Sequence, residues 1–146
     1  MIFFISDLHL SPRSPGATRL FLSFLAGRAR QAEALYILGD LFEVWVGDDI
    51  NDPYAAQITA ALRAASDAGL KICFMHGNRD FAIGEQFTAA AGRHEDERIA
   101  TAADVVDDLG LGAAKGGVAE DVAQDLQRAG LAHCYGRHGI LLNFQK

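Results

Sequence analysis

Ile2-Phe3-Phe4-Ile5-Ser6, followed at once by Asp7-Leu8-His9, is the stretch on which the fold turns. A short, apolar, β-forming run reads as a strand buried on both faces, and here a carboxylate and an imidazole stand at its end. The same grammar returns twice. Ala34-Leu35-Tyr36-Ile37-Leu38 runs into Gly39-Asp40, and Leu70-Lys71-Ile72-Cys73-Phe74-Met75 runs into His76-Gly77-Asn78-Arg79-Asp80.

Helical patterns separate the three runs. Ser11-Pro12-Arg13-Ser14-Pro15-Gly16 is turn chemistry, and from Thr18 to Ala32 apolar residues such as Leu20, Phe21, Phe24 and Leu25 recur at helical spacing. Asn51-Asp52-Pro53 supplies a helix start; Ile58, Leu62 and Ala65 form its apolar stripe, and Gly69 is a natural stop. The order β-α-β-α-β predicts an α/β fold with a parallel βαβαβ core, right-handed crossovers and ligands beyond the carboxyl ends of the strands. All three polar clusters fall at that edge.

Composition narrows the function classes. The chain has 146 residues, half of them apolar and 22% charged, which suits one globular domain with a real core. A net charge of −6 argues against a nucleic-acid partner. Arg outnumbers Lys ten to three, which leaves room for a local phosphate site. Cys73 reads as a buried strand residue. Cys134, with His133 and His138 near it, lacks a second Cys-His pair and is no structural zinc site, so the chain reads as cytosolic and reduced. The apolar start Met1–Ile5 is too short for a signal peptide or a membrane span.

Beyond Gly92 the character changes. Arg93 to Arg98 is a charge run, read as a solvated surface, and 102–117 is rich in Ala, Asp and Gly. Val118, Val122 and Leu126 predict a short helix that Gly130 could cap, and Gly139 to Phe144 a last strand.

Asp7, His9, Asp40 and Asn78 are the candidate metal ligands. Residues two apart in a strand point the same way, so Asp7 and His9 are expected to share one ion. Asp40 carries two oxygens and can bridge two cations; Asn78 adds a neutral amide oxygen, and Arg79 a fixed charge for a phosphate. Taken singly, each motif has a bland reading, such as a strand-end Asp capping a turn. Their repetition after three strands is what favours divalent cations acting on a phosphate ester. His76 reads as a structural histidine, with a hydrogen bond to a ligand as the other option. Glu43, Asp48 and Asp49 read as surface carboxylates or pocket rim. Phe42, Trp45 and Val46 read as core or as an apolar wall for a lipid chain.

The run DxH, GD, GN resembles the calcineurin-like metallophosphoesterases. Phe4-Ile5-Ser6-Asp7-Leu8-His9-Leu10, Tyr36-Ile37-Leu38-Gly39-Asp40-Leu41-Phe42-Glu43 and His76-Gly77-Asn78-Arg79-Asp80-Phe81 resemble the UDP-2,3-diacylglucosamine hydrolases of that superfamily, with Arg79 where protein phosphatases carry His. The resemblance covers residues 1–92. It implies the N-terminal part of a metallophosphoesterase domain in a pyrophosphate hydrolase of lipid A biosynthesis that uses two Mn²⁺ ions to yield lipid X and UMP. It further implies that Asp7, His9, Asp40 and Asn78 bind metal and that Asn78 and Arg79 contact UDP-2,3-diacylglucosamine. Asp40 and Arg79 would be catalytic, in a protein peripheral to the cytoplasmic face of the inner membrane. The family's later HGD and GHTH segments have no counterpart in residues 93–146, which leaves the second ion's ligand set incomplete. That stretch reads as a divergent tail, with a shifted reading frame, a truncation and a diverged end as the open alternatives. An inactive metal-binding remnant and a generic phosphodiesterase stay open as alternatives.

Overall fold

A computed structural model describes residues 1–48 and 52–92, together with the backbone of 140–144. The helix expected at Val118–Leu126, the charge run 93–98 and the His133–His138 cluster lie outside the described residues.

The apolar runs form strands β1 (Ile2–Ser6), β2 (Ala34–Leu38) and β3 (Lys71–Met75), paired in parallel in the order β3-β2-β1. Register is tight, with Phe4 opposite Tyr36 and Tyr36 opposite Cys73. A fourth strand, β4 (Ile140–Phe144), lies antiparallel on the free side of β1, Ser6 facing Ile140. The sequence suggested the strand but not its direction, because an apolar run carries no signal of strand polarity. Cys73 is only half-buried, contrary to expectation; among the described residues its strand stands at the edge of the sheet.

Helix α1 spans Pro15–Ala26 and α2 spans Pro53–Asp67. Both start on Pro, whose fixed φ and missing N–H suit the first helical turn. Asp52 caps α2 by accepting the Tyr54 N–H at 3.0 Å. The stop at Gly69 (φ +98°) lets the Leu70 N–H return to the Ala65 carbonyl. The single helix expected over Thr18–Ala32 is divided: Gly27 ends α1, and Arg28–Gln31 follows as a 3₁₀ turn. A further short helix, α3 (Glu85–Ala90), was not anticipated, because six residues are too few to display a period. Among the described residues, no helix is long and apolar enough to cross a membrane.

Helices α1 and α2 cover one face of the sheet. Phe21, Leu25, Ile58, Leu62 and Ala65 meet Phe3, Ile5, Leu35, Ile37 and Phe74 in one core. The Thr18 and Tyr54 hydroxyls, 2.6 Å apart, tie the two helices together. On the opposite face the Phe4 and Tyr36 rings stack at 4.9 Å, and both residues are buried. Strands β1 and β2 are therefore buried on both faces, as their unbroken apolar runs require, whereas β3 is only half-buried over Lys71–Cys73. Ile58 is fully enclosed, so Ile58→Ala should cost about 2–5 kcal/mol in urea unfolding through lost transfer energy and a residual cavity. Tyr54→Phe, which removes only the interhelical hydrogen bond, should cost about 1 kcal/mol.

Candidate metal centre

β1 ends at Ser6, so Asp7 and His9 are not strand residues. Asp7 has φ +54° and His9 φ +47°, and Asp40, after β2, has φ +51°. Among the described residues these are the three non-glycine positions with positive φ. Strand alternation is thus not what aligns Asp7 with His9. Two left-handed residues flanking Leu8 do so instead, at a cost of order 1–3 kcal/mol each.

The loop after β1 is laced to the loop after β2. Asp7, His9 and Leu10 donate their N–H groups to the carbonyls of Gly39, Asp40 and Leu41 at 3.2, 3.0 and 2.8 Å, and Glu43 donates back to Leu10 at 3.1 Å. The second and third loops meet through glycines. A Cβ on Gly39 would lie 2.7 Å from the backbone of Gly77, and one on Gly77 would strike the Asp40 carboxylate. Backbones can approach so closely only where both side chains are absent.

Asp80 fastens this contact. It is fully buried, and its Oδ1 accepts from Gly77 N (2.7 Å) and Asp40 N (3.2 Å) while its Oδ2 accepts from Leu41 N (2.8 Å). The next N–H back along the chain, from Arg79, donates to Asp40 Oδ1 at 2.9 Å. The Arg79 carbonyl accepts from Trp45 N at 3.1 Å. Asn78 sits between Gly77 and Arg79, and hence beside Asp40, with its side chain exposed.

One ligand atom from each of Asp7, His9 and Asp40 lies within 4.8 Å of the others. The donor set fits a divalent cation: two carboxylates would repel each other without one, and hard oxygens with one imidazole suit such an ion. His9 Nδ1 is buried without a hydrogen-bond partner. Glu43 Oε2 stands 3.1 Å from it, at an angle that makes no hydrogen bond, and Glu43 Oε1 lies 3.5 Å from Arg79 Nη1. Glu43 therefore stands between the imidazole and the guanidinium.

Other expectations resolve differently. His76 is exposed, which removes the structural role assigned to it. Asp48 is no simple surface carboxylate: it accepts from Trp45 Nε1, Gly84 N and Phe87 N at 3.0–3.1 Å and so caps α3 from a distance. The Trp45 ring packs 4.9 Å from Phe42 and 5.1 Å from Phe87, on the core side, whereas Val44 and Val46 are exposed. Asp49 lies outside the described residues.

Asp80 carries no sequence signal of its role, since nothing in a polar loop advertises that a carboxylate is buried. Burial pushes the Asp80 carboxyl above the ordinary Asp value, against the opposing pull of the backbone N–H groups of Gly77, Leu41, Asp40 and Phe42. A raised acid holds its proton more tightly in the folded protein than in the unfolded chain. Its stabilising contribution is complete below the unfolded value of about 3.9 and fades as pH climbs through the folded one. The melting-temperature difference between the protein and Asp80→Asn, which cannot titrate, should therefore shift in favour of the variant as pH rises from about 4 to about 7.

No family model matches the chain. Over 92 residues, 63% of its length, the chain is 63% identical to the UDP-2,3-diacylglucosamine hydrolase of Pseudomonas savastanoi pv. phaseolicola. Comparable stretches are 62% identical to the protein of the same name from Ectopseudomonas mendocina and 61% to that from Pseudomonas fluorescens. Over the matched stretch the chain is homologous to curated UDP-2,3-diacylglucosamine hydrolases, and it spans 37–38% of the length of those relatives.

Proposed function

We propose that the chain carries the first part of a calcineurin-like metallophosphoesterase domain and acts in hydrolysis of the diphosphate of UDP-2,3-diacylglucosamine. The observation that carries this reading is the strained Asp7-His9-Asp40 group beside Arg79, in a stretch about 60% identical to hydrolases named for that substrate. Residues 1–92 would form the N-terminal part of the domain, and 93–146 a divergent tail.

In this reading Asp7, His9 and Asp40 would hold Mn²⁺, and Asp40 with Asn78 would hold a second ion. When bound, the ions would polarise the phosphoryl oxygens and acidify the attacking water. The chain's own groups do the rest. The Arg79 guanidinium, half-exposed at the site, binds the diphosphate and meets the charge that grows on its oxygens as the bond to the uridylyl side breaks. Glu43 keeps that guanidinium near His9 rather than loose in solvent. The Arg79 N–H fixes one oxygen of Asp40 and so limits the rotation of its carboxylate.

The lipid half of the substrate has chemical support nearby. Val44, Val46 and Phe81, each at least 65% exposed, stand on the loops that carry Glu43 and Arg79 and offer apolar surface to acyl chains. A substrate of this kind would place the protein at the cytoplasmic face of the inner membrane, in peripheral contact with lipid.

The purified chain is expected to release UMP from UDP-2,3-diacylglucosamine only with Mn²⁺ present, and Asp40→Ala should abolish that release. Arg79→Ala should lower kcat by about 100-fold or more, the scale seen when one charge-stabilising donor is removed. Release that survives Asp40→Ala, or none at all with Mn²⁺ supplied, would overturn the reading. Equal turnover of simple phosphodiesters that lack acyl chains would overturn the substrate assignment alone.

A further inference from the structure

We infer that Asp80 is a positioning residue of the metal centre: by binding the N–H groups of Gly77, Asp40 and Leu41 it holds the Asp40 carboxylate where a divalent cation can be taken. The inference rests on the reading that Asp7, His9 and Asp40 receive such a cation.

Both Asp80 oxygens are spent on backbone. Oδ1 takes Gly77 and Asp40, and Oδ2 takes Leu41, so neither is offered to a ligand. Full burial makes the group expensive to keep, because a desolvated carboxylate must be compensated by every donor around it. What it secures is one point in the fold. Asp40 stands at φ +51°, a conformation the chain leaves unless the surroundings dictate it. Its N–H and that of Leu41 both point at Asp80, which fixes the peptide planes on either side of the strained Cα. The third donor, Gly77, draws in the loop whose Arg79 N–H grips the Asp40 side chain. One carboxylate thus sets the backbone of Asp40 directly and its carboxylate through the neighbouring residue.

An amide at position 80 would turn an NH₂ group towards N–H donors and lose part of this acceptor array. The full chain, Asp80→Asn, Asp80→Ser, Asp40→Asn and Thr18→Val are titrated with Mn²⁺ by calorimetry below their melting temperatures. Thermal melts are recorded in parallel. Thr18→Val is the structural control, since it removes the hydroxyl contact to Tyr54 between α1 and α2 and touches nothing at the site. Asp80→Asn should weaken Mn²⁺ binding about 10–100-fold while still melting cooperatively, as does loss of a group that orients a metal ligand. Asp80→Ser, smaller and able to accept, should fold and show the same weakening. Thr18→Val should melt lower and bind Mn²⁺ as the parent does.

Parent-like Mn²⁺ affinity in either Asp80 variant would overturn the inference, as would an equal loss of affinity in Thr18→Val. A parent chain that takes up no more Mn²⁺ than Asp40→Asn would instead overturn the reading on which it rests, so the two failures are distinguishable.

Discussion

Two glycines set back to back, Gly39 after the second strand and Gly77 after the third, leave no space between their backbones for a Cβ on either. The geometry of the candidate metal centre follows from that approach. It brings the Asp80 carboxylate within reach of three N–H groups on two loops and the Arg79 N–H within reach of Asp40. The first loop then joins through its own backbone bonds to Gly39, Asp40 and Leu41. Three turns that would each wander alone become one surface, and Asp7, His9 and Asp40 converge on it.

The surrounding fold exists to hold those turns in line. Parallel pairing puts the carboxyl ends of all three strands at one edge, and helices α1 and α2 cover one face so that the strands cannot shift register. Asp48 adds a second device of the same type as Asp80, a carboxylate that gathers N–H groups at the start of α3 and steadies the loop bearing Trp45. In both places a charge organises backbone rather than a ligand.

How far the sequence disclosed this depends on what kind of signal each feature leaves. The three parallel strands and the helix over Pro53–Asp67 were legible because apolar runs and caps are local. So was the meeting of Asp7, His9 and Asp40, although strand alternation is not its cause: left-handed turns bring the three together. Asp80 and Asp48 were opaque, since a polar residue in a loop looks the same whether it faces water or three buried amides. Gly27 shows the limit of periodicity, for the apolar pattern ran straight through a residue at which the helix ends.

The left-handed triplet bears on how such a site drifts. At Asp7, His9 and Asp40, glycine would relax the main chain at once, so each side chain is kept uphill of a more comfortable replacement. Glycine at any of the three would ease the main chain and remove a candidate ligand in the same step, so local comfort and the convergence of these side chains pull in opposite directions.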